Sequence, residues 1–256
     1  MLFVIRHSSF VIHTMYLVLD FGNTNKKIAL FNKGRLIHLE QYRKIGLRML
    51  QNFIRAYPGI THVILSSVVD YPSSIRAFLE KKFIFLELTH LTPLPVKNKY
   101  RKPETLGKDR LAAAVAGASF AAGSPVMVIN CGTCITYDFV NEKREYLGGG
   151  ISPGLRMRFS ALHTFTGKLP FISSPTTGKL IGDDTRGSLL SGVFNGMIAE
   201  MDGIIAEYRN RYPGIKVILS GGDARYFVKR LKSDIFARSN IVLHGLYQIL
   251  CFHVDR

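Results

Sequence analysis

Two short stretches hold residues whose order suits chemistry better than packing. Residues 16–30 read YLVLDFGNTNKKIAL: a strand-like run closes on Asp20, then come Gly22, Asn23, Thr24 and Asn25, and the pair Lys26–Lys27 leads back into apolar sequence. Residues 126–140 read VMVINCGTCITYDFV, the same layout with Asn130, Cys131, Gly132 and Thr133 at the turn. A strand closing on Asp-x-Gly or Asn-x-Gly presents backbone N–H groups with no Cβ in the way, which suits phosphate oxygens. A carboxylate at the edge of such a turn suits Mg²⁺, directly or through water. Ordinary hairpin turns use the same residue types. The return of the pattern in the second half of the chain favours the phosphate reading.

The elements that must position these turns repeat as well. Residues 16–20, 26–31 and 35–39 read as strands, 46–56 as a helix, 62–68 as a strand buried on both faces and 72–82 as a helix. Residues 104–122 read as an alanine-rich helix. The plan then restarts, with strands at 126–130, 134–140 and 144–147, helical patterns at 155–163 and 186–211, a buried strand over 216–222 and a helix over 224–231. A duplicated α/β unit with a cleft between its halves follows, divided near AAGSP at 121–125. The expected domains are 15–122 and 123–256. Residues 1–14 lack a basic start, a long apolar segment and a small-residue cleavage pattern, so they do not read as a signal peptide. Met15 directly precedes the first strand, which marks 1–14 as an extension or a misplaced start.

The 256 residues suffice for one large or two ordinary domains, and a hydrophobic fraction of 47% is that of a chain with a core. No apolar run reaches the roughly 18 residues that span a bilayer. The formal charge of +16 points to anionic partners, whether nucleic acid, acidic lipid or phosphorylated small molecules, or only to a basic surface. Three cysteines, Cys131, Cys134 and Cys251, argue against a disulfide framework and for a reducing compartment. Cys131 and Cys134 form C-x-x-C, but a strand follows them and there is no second ligand pair, so a redox or zinc site is not expected.

Four motifs together, DFGNTNKK (20–27), GKDR (107–110), NCGTCIT (130–136) and GGGISPG (148–154), resemble in order and spacing those of type III pantothenate kinases. The resemblance runs from Met15 to the end. It implies an actin-like, sugar-kinase-like ATPase fold with two ribonuclease H-like domains facing across a cleft. It also implies transfer of the γ-phosphate of ATP to pantothenate, a cytoplasmic homodimer, and a need for Mg²⁺ with K⁺ or ammonium. Carried over residue by residue, Asp20, Gly22, Asn23, Thr24, Asn25, Lys26 and Lys27 hold ATP, with Asp20 at the metal. Thr133 contacts ATP from the other half. Tyr100, Gly107, Lys108, Asp109, Arg110 and Thr185 line the pantothenate site, Thr185 near the dimer interface and Asp109 as catalytic base. Phosphoryl transfer needs charge neutralisation and one poised carboxylate more than covalent chemistry, which suits these roles. Without the family motif, Asp109 reads rather as a cap or first-turn acid of the following helix. Arg110 reads as a fork for the pantothenate carboxylate, a surface residue or a partner to Asp109. Most family members carry Asp where this chain has Asn130, and that Asp helps bind the monovalent cation. Asn keeps an oxygen ligand but loses the charge, so a monovalent cation site there is weaker, displaced or absent.

Two other classes remain in view. One is a kinase of the same superfamily acting on another small alcohol. The other is a basic nucleic-acid-binding regulator, against which stands the lack of any helix-turn-helix, zinc-finger or RNP motif.

Overall fold

The computed structural model describes residues 14–176 and 178–254. The segment 1–14 set apart above lies, except for Thr14, outside the described residues. The chain forms two compact units, Met1–Leu88 and Thr89–Arg256.

In the first unit, β1 (Met15–Phe21), β2 (Lys26–Asn32) and β3 (Arg35–Tyr42) form an antiparallel meander. After α1 (Leu47–Ala56), β4 (Ile60–Ser67) lies parallel to β1, and after α2 (Ser73–Lys82), β5 (Ile84–Glu87) lies parallel to β4. The sheet order is β3-β2-β1-β4-β5. Leu17, Val18 and Leu19 on β1 and Val63, Ile64 and Leu65 on β4 are fully buried. That is the continuous apolar signature of strands covered on both faces. Leu50 and Phe53 of α1 and Ile75 and Leu79 of α2 close the core.

The second unit repeats this plan. β7 (Val126–Cys131), β8 (Cys134–Val140) and β9 (Glu145–Pro153) form the meander, and β10 (Lys216–Ser220) and β11 (Phe236–Ala237) add in parallel beyond β7. The short β6 (Lys97–Asn98) pairs with the outer edge of β9, giving the order β11-β10-β7-β8-β9-β6. Shared strand order in both sheets is the ribonuclease H-like duplication that the sequence implied. α3 (Lys108–Phe120) packs along α6 (Ile241–Val254), and α4 (Leu155–Thr164) packs against α5 (Thr185–Arg211).

Three expectations change. The units divide at Leu88/Thr89, whereas the sequence divide was set at 122/123. The alanine-rich α3 packs with α6 and β7 of the second unit, because its small side chains permit close approach: a Cβ on Gly245 of α6 would lie 1.8 Å from the Ala112 carbonyl oxygen. The strand expected over 144–147 runs on through GGGISPG as β9, to Pro153. The helix expected over 224–231 is a 3-10 turn, Ala224–Tyr226, anchored by the buried Phe227. Among the described helices α5 alone is long and apolar enough to cross a bilayer. Its Leu189, Val193, Phe194, Met197, Met201 and Ile205 face the core of the second unit, which accounts for that apolarity.

Candidate active site

The first turn joins β1 to β2. Asp20 lies opposite Lys27 and Phe21 opposite Lys26 in the antiparallel register. Gly22 N–H donates to the Asn25 carbonyl at 3.0 Å, and Lys26 Nζ donates to the Gly22 carbonyl at 2.7 Å, tying the turn to the start of β2. The Lys26 ammonium therefore braces the turn. A Cβ at position 22 would meet the Asn25 oxygen at 3.1 Å, so glycine keeps the turn tight. Asn23 and Thr24 are exposed at its tip, with Asp20 and Lys27 half-buried at its base. The parallel register of β4 sets Ser66 beside Asp20, and the buried Ser66 hydroxyl has no hydrogen-bond partner among the described residues. One carboxylate with neighbouring hydroxyl and amide groups is a hard-oxygen donor set of the kind that serves a phosphate-bridged divalent cation.

The second turn joins β7 to β8. Gly132 N–H donates to the Cys134 carbonyl at 2.9 Å, and Gly154 N–H donates to the Thr133 carbonyl at 3.2 Å. Asp223 N–H donates to the Cys131 carbonyl at 3.1 Å. A Cβ on Gly154 would come within 2.3 Å of the Gly132 oxygen, and one on Gly221 within 2.1 Å of the Cys131 oxygen. The glycine-dense motifs thus let three chain segments pass backbone to backbone around this turn. Thr133 is exposed, and Asn130 sits in register between Thr136 and Ser220. Burial, helped by Asp223 and Glu200, pushes the Cys131 thiol up to about 12, so it carries no thiolate near neutral pH.

The third group gathers at the start of α3. Gly107 is the residue before the first helical turn, and Asp109 lies in that turn without making a side-chain cap. Among the described residues Asp109 has no hydrogen-bond or ion-pair partner, so it is an acid of the first turn that makes no cap. A Cβ on Gly107 would sit 2.7 Å from Asp109 Oδ1, so the glycine clears the space this carboxylate occupies. Lys108 is half-buried beside it. Arg110, 6% exposed, turns inward. Its Nε donates to Asp138 Oδ1 at 2.9 Å, and its Nη2 lies 2.8 Å from the same oxygen, at an angle that makes an ion pair but no hydrogen bond. Tyr146 donates its hydroxyl to Asp138 Oδ1 at 2.8 Å and Thr136 to Oδ2 at 2.9 Å. Tyr100 stacks on Tyr146 with centroids 6.2 Å apart, and the guanidinium lies 5.9 Å from the Tyr100 ring centre. Burial pushes the Asp138 carboxyl above its ordinary range, against the pull of Arg110 and its two hydroxyl donors. Burial pulls the Arg110 guanidinium down, and Asp138 more than restores it.

Thr185 opens α5 and is exposed. Asp184 caps the helix by accepting from Gly187 N–H at 2.5 Å. A cavity of about 240 Å³ lined by Gly178, Ile181, Gly182 and Leu190 lies alongside.

The second unit therefore gathers Tyr100, Gly107, Asp109 and Arg110 in one place. Among the described residues Thr185 makes no hydrogen bond or ion pair with them. The sequence reading did not single out Asp138, Tyr146 or Thr136. The available signal was an acid inside the apolar run CITYDFV, since a carboxylate buried in a strand must find cationic or hydroxyl partners.

Comparison with known proteins follows the same lines. Residues 16–207 match the family described as type III pantothenate kinase. A type III pantothenate kinase of Christiangramia forsetii is 43% identical over 240 residues, covering 93% of this chain and 99% of that one. Among solved structures, a protein from Campylobacter jejuni assigned to the Baf family of transcriptional activators superposes with a TM-score of 0.60 at 18% identity, covering 94% of this chain and 100% of that one. A ROK family glucokinase from Streptomyces griseus, solved with glucose and AMPPNP, gives 0.52 at 11% identity, covering 93% and 99%. The structural likenesses show the sugar-kinase-like ATPase fold.

Proposed function

We propose a residue-level reading of a premise that the comparisons supply: the chain belongs to the type III pantothenate kinase family. It phosphorylates pantothenate with ATP in coenzyme A biosynthesis, in a reaction that needs a divalent metal. Neither a different alcohol acceptor nor nucleic-acid regulation is favoured by these relatives.

In this reading Asp109 is the general base. The observation that carries it is the half-buried Asp109 carboxylate, uncapped and cleared by Gly107 at the start of α3. It accepts the primary hydroxyl proton as the γ-phosphoryl group transfers. Gly107, Lys108, Arg110 and Tyr100 bind pantothenate, Arg110 through its carboxylate. The turn from Asp20 to Lys27 and the turn at Thr133 bind ATP through backbone and hydroxyl donors. Mg²⁺ would be held by Asp20 and would supply neutralisation of charge on the transferred group. Asn130 supplies a neutral oxygen only, so K⁺ or ammonium is held weakly. The enzyme works as a cytoplasmic homodimer, and Thr185, exposed at the start of α5, meets the partner subunit's substrate.

The test is to incubate the purified chain with ATP, Mg²⁺, K⁺ and pantothenate and to seek phosphopantothenate by mass spectrometry. Product that disappears in Asp109→Asn, with ATP binding intact, is the expected result. Full turnover in Asp109→Asn would remove the base assignment.

A further inference from the structure

The network around Asp138 is unevenly satisfied. Asp138 is fully buried, and its two oxygens accept from Arg110 Nε, Tyr146 and Thr136. The acid is saturated while the base is not. Arg110 Nη2 is buried and ion-paired with Asp138 Oδ1 at 2.8 Å but off the hydrogen-bond axis, and it makes no hydrogen bond among the described residues. A buried ion pair is a weak source of stability, because desolvating both charges consumes most of their attraction. A poorly aligned guanidinium N–H adds a further cost that a better-placed acceptor would reduce. The guanidinium fork suits a carboxylate. Tyr100 closes one side of it and is itself propped by Tyr146, which is also bonded to Asp138.

We propose that Asp138 is a positioning residue for acceptor recognition: it grips Arg110 through Nε and the Nη2 ion pair, and Tyr146 with it, so that the guanidinium is held in place for the carboxylate of the acceptor. The inference rests on the reading of Arg110 as the pantothenate carboxylate ligand. It makes the Asp138–Tyr146 pair the support that selects an acidic acceptor over a neutral one of the same shape. Asp138 touches no substrate in this arrangement and acts only through Arg110 and Tyr146.

The experiment uses the full chain with Mg²⁺ and ATP and two acceptors: pantothenate, and panthenol, its neutral alcohol analogue. Panthenol is read as a substrate or, without turnover, as a competitive inhibitor. Wild type, Arg110→Lys, Asp138→Asn and Tyr146→Phe are compared. Asp138→Asn is expected to raise KM for pantothenate on the order of ten-fold or more. KM for ATP and the panthenol constant should stay within about two-fold. Tyr146→Phe keeps the ring and loses one donor to Asp138, and is expected to show the same selectivity at smaller size. It carries the test if Asp138→Asn does not fold. Parallel loss toward both acceptors in Asp138→Asn and Tyr146→Phe, or a fall in kcat with both constants unchanged, overturns the positioning role. If Arg110→Lys shows no preference for losing pantothenate, the reading of Arg110 itself fails. If Arg110→Lys is selective and the other two are not, only the role of Asp138 falls.

Discussion

Gly107 and Asn130 show how much one missing group can decide. An added Cβ at position 107 would press on Asp109 Oδ1 at 2.7 Å, and the carboxylate, at the end of a short flexible side chain, can swing away. Gly107→Ala should therefore leave thermal stability nearly unchanged while lowering kcat on the order of ten-fold or more, since a misplaced base loses much of its catalytic effect. A Tm scan beside steady-state kinetics checks this, and an unchanged kcat would place the base elsewhere. At Asn130 what is missing is charge. Stimulation by K⁺ should be small in the wild type and larger in Asn130→Asp. Strong K⁺-specific stimulation of the wild type would refute that assignment.

At the scale of elements, the two phosphate-type turns stand where they do because strands repeat. β1 and β7 are central in their sheets, each flanked by an antiparallel hairpin partner and a parallel strand, and each delivers its turn at its C-terminal end. The support of α3 is tighter. With a Cβ at Gly245 only 1.8 Å from the Ala112 carbonyl oxygen, Gly245→Ala must separate α6 from α3. A loss of at least about 3 kcal/mol is expected from such overpacking, a fall in Tm of roughly 10 °C. Gly203 of α5 has no atom within 4 Å of an added Cβ, so Gly203→Ala should instead stabilise by up to about 1 kcal/mol through helix propensity. Calorimetry on the two variants separates close packing from propensity, and equal behaviour would discount the contact.

For the whole molecule, a buried and a half-buried histidine set a pH dependence. Burial lowers the pKa of His62, and burial together with Arg238 lowers that of His244. Both are held neutral in the fold, so the unfolded chain takes up protons first as pH falls below about 6.5. Stability is full above that pH and declines as it falls through the folded values. Asp138 and Asp223, raised by burial, act with the opposite sign at lower pH, so the check is a comparison of profiles. The double variant His62→Gln, His244→Gln should show a flatter Tm between pH 7.5 and 5.5 than the wild type, and identical slopes would rule the histidines out. The proposed dimer is tested by mixing Asp109→Asn with Thr185→Ala protein. If Thr185 serves the partner's site, each mixed dimer regains one intact site and activity rises above either parent. No gain would assign Thr185 to its own subunit or to no site.

The amino-acid sequence alone determined most of the plan. Apolar runs closing on Asp20 and Asn130, the VILS strands and the glycine turns are local signals, because strand burial and turn chemistry are written in neighbouring residues. The motif positions were legible for the same reason. What lay beyond it were choices made between distant segments. Residues 89–122 join the second unit because small residues of α3 meet α6, more than 100 residues on in the sequence. GGGISPG became strand because its glycines let neighbouring backbones close in. Arg110 turned from the surface to Asp138, 28 residues away, because a guanidinium drawn into a core must find its counter-charge there. Pairings of that kind depend on which strand lies beside which helix, and only the tertiary structure decides that.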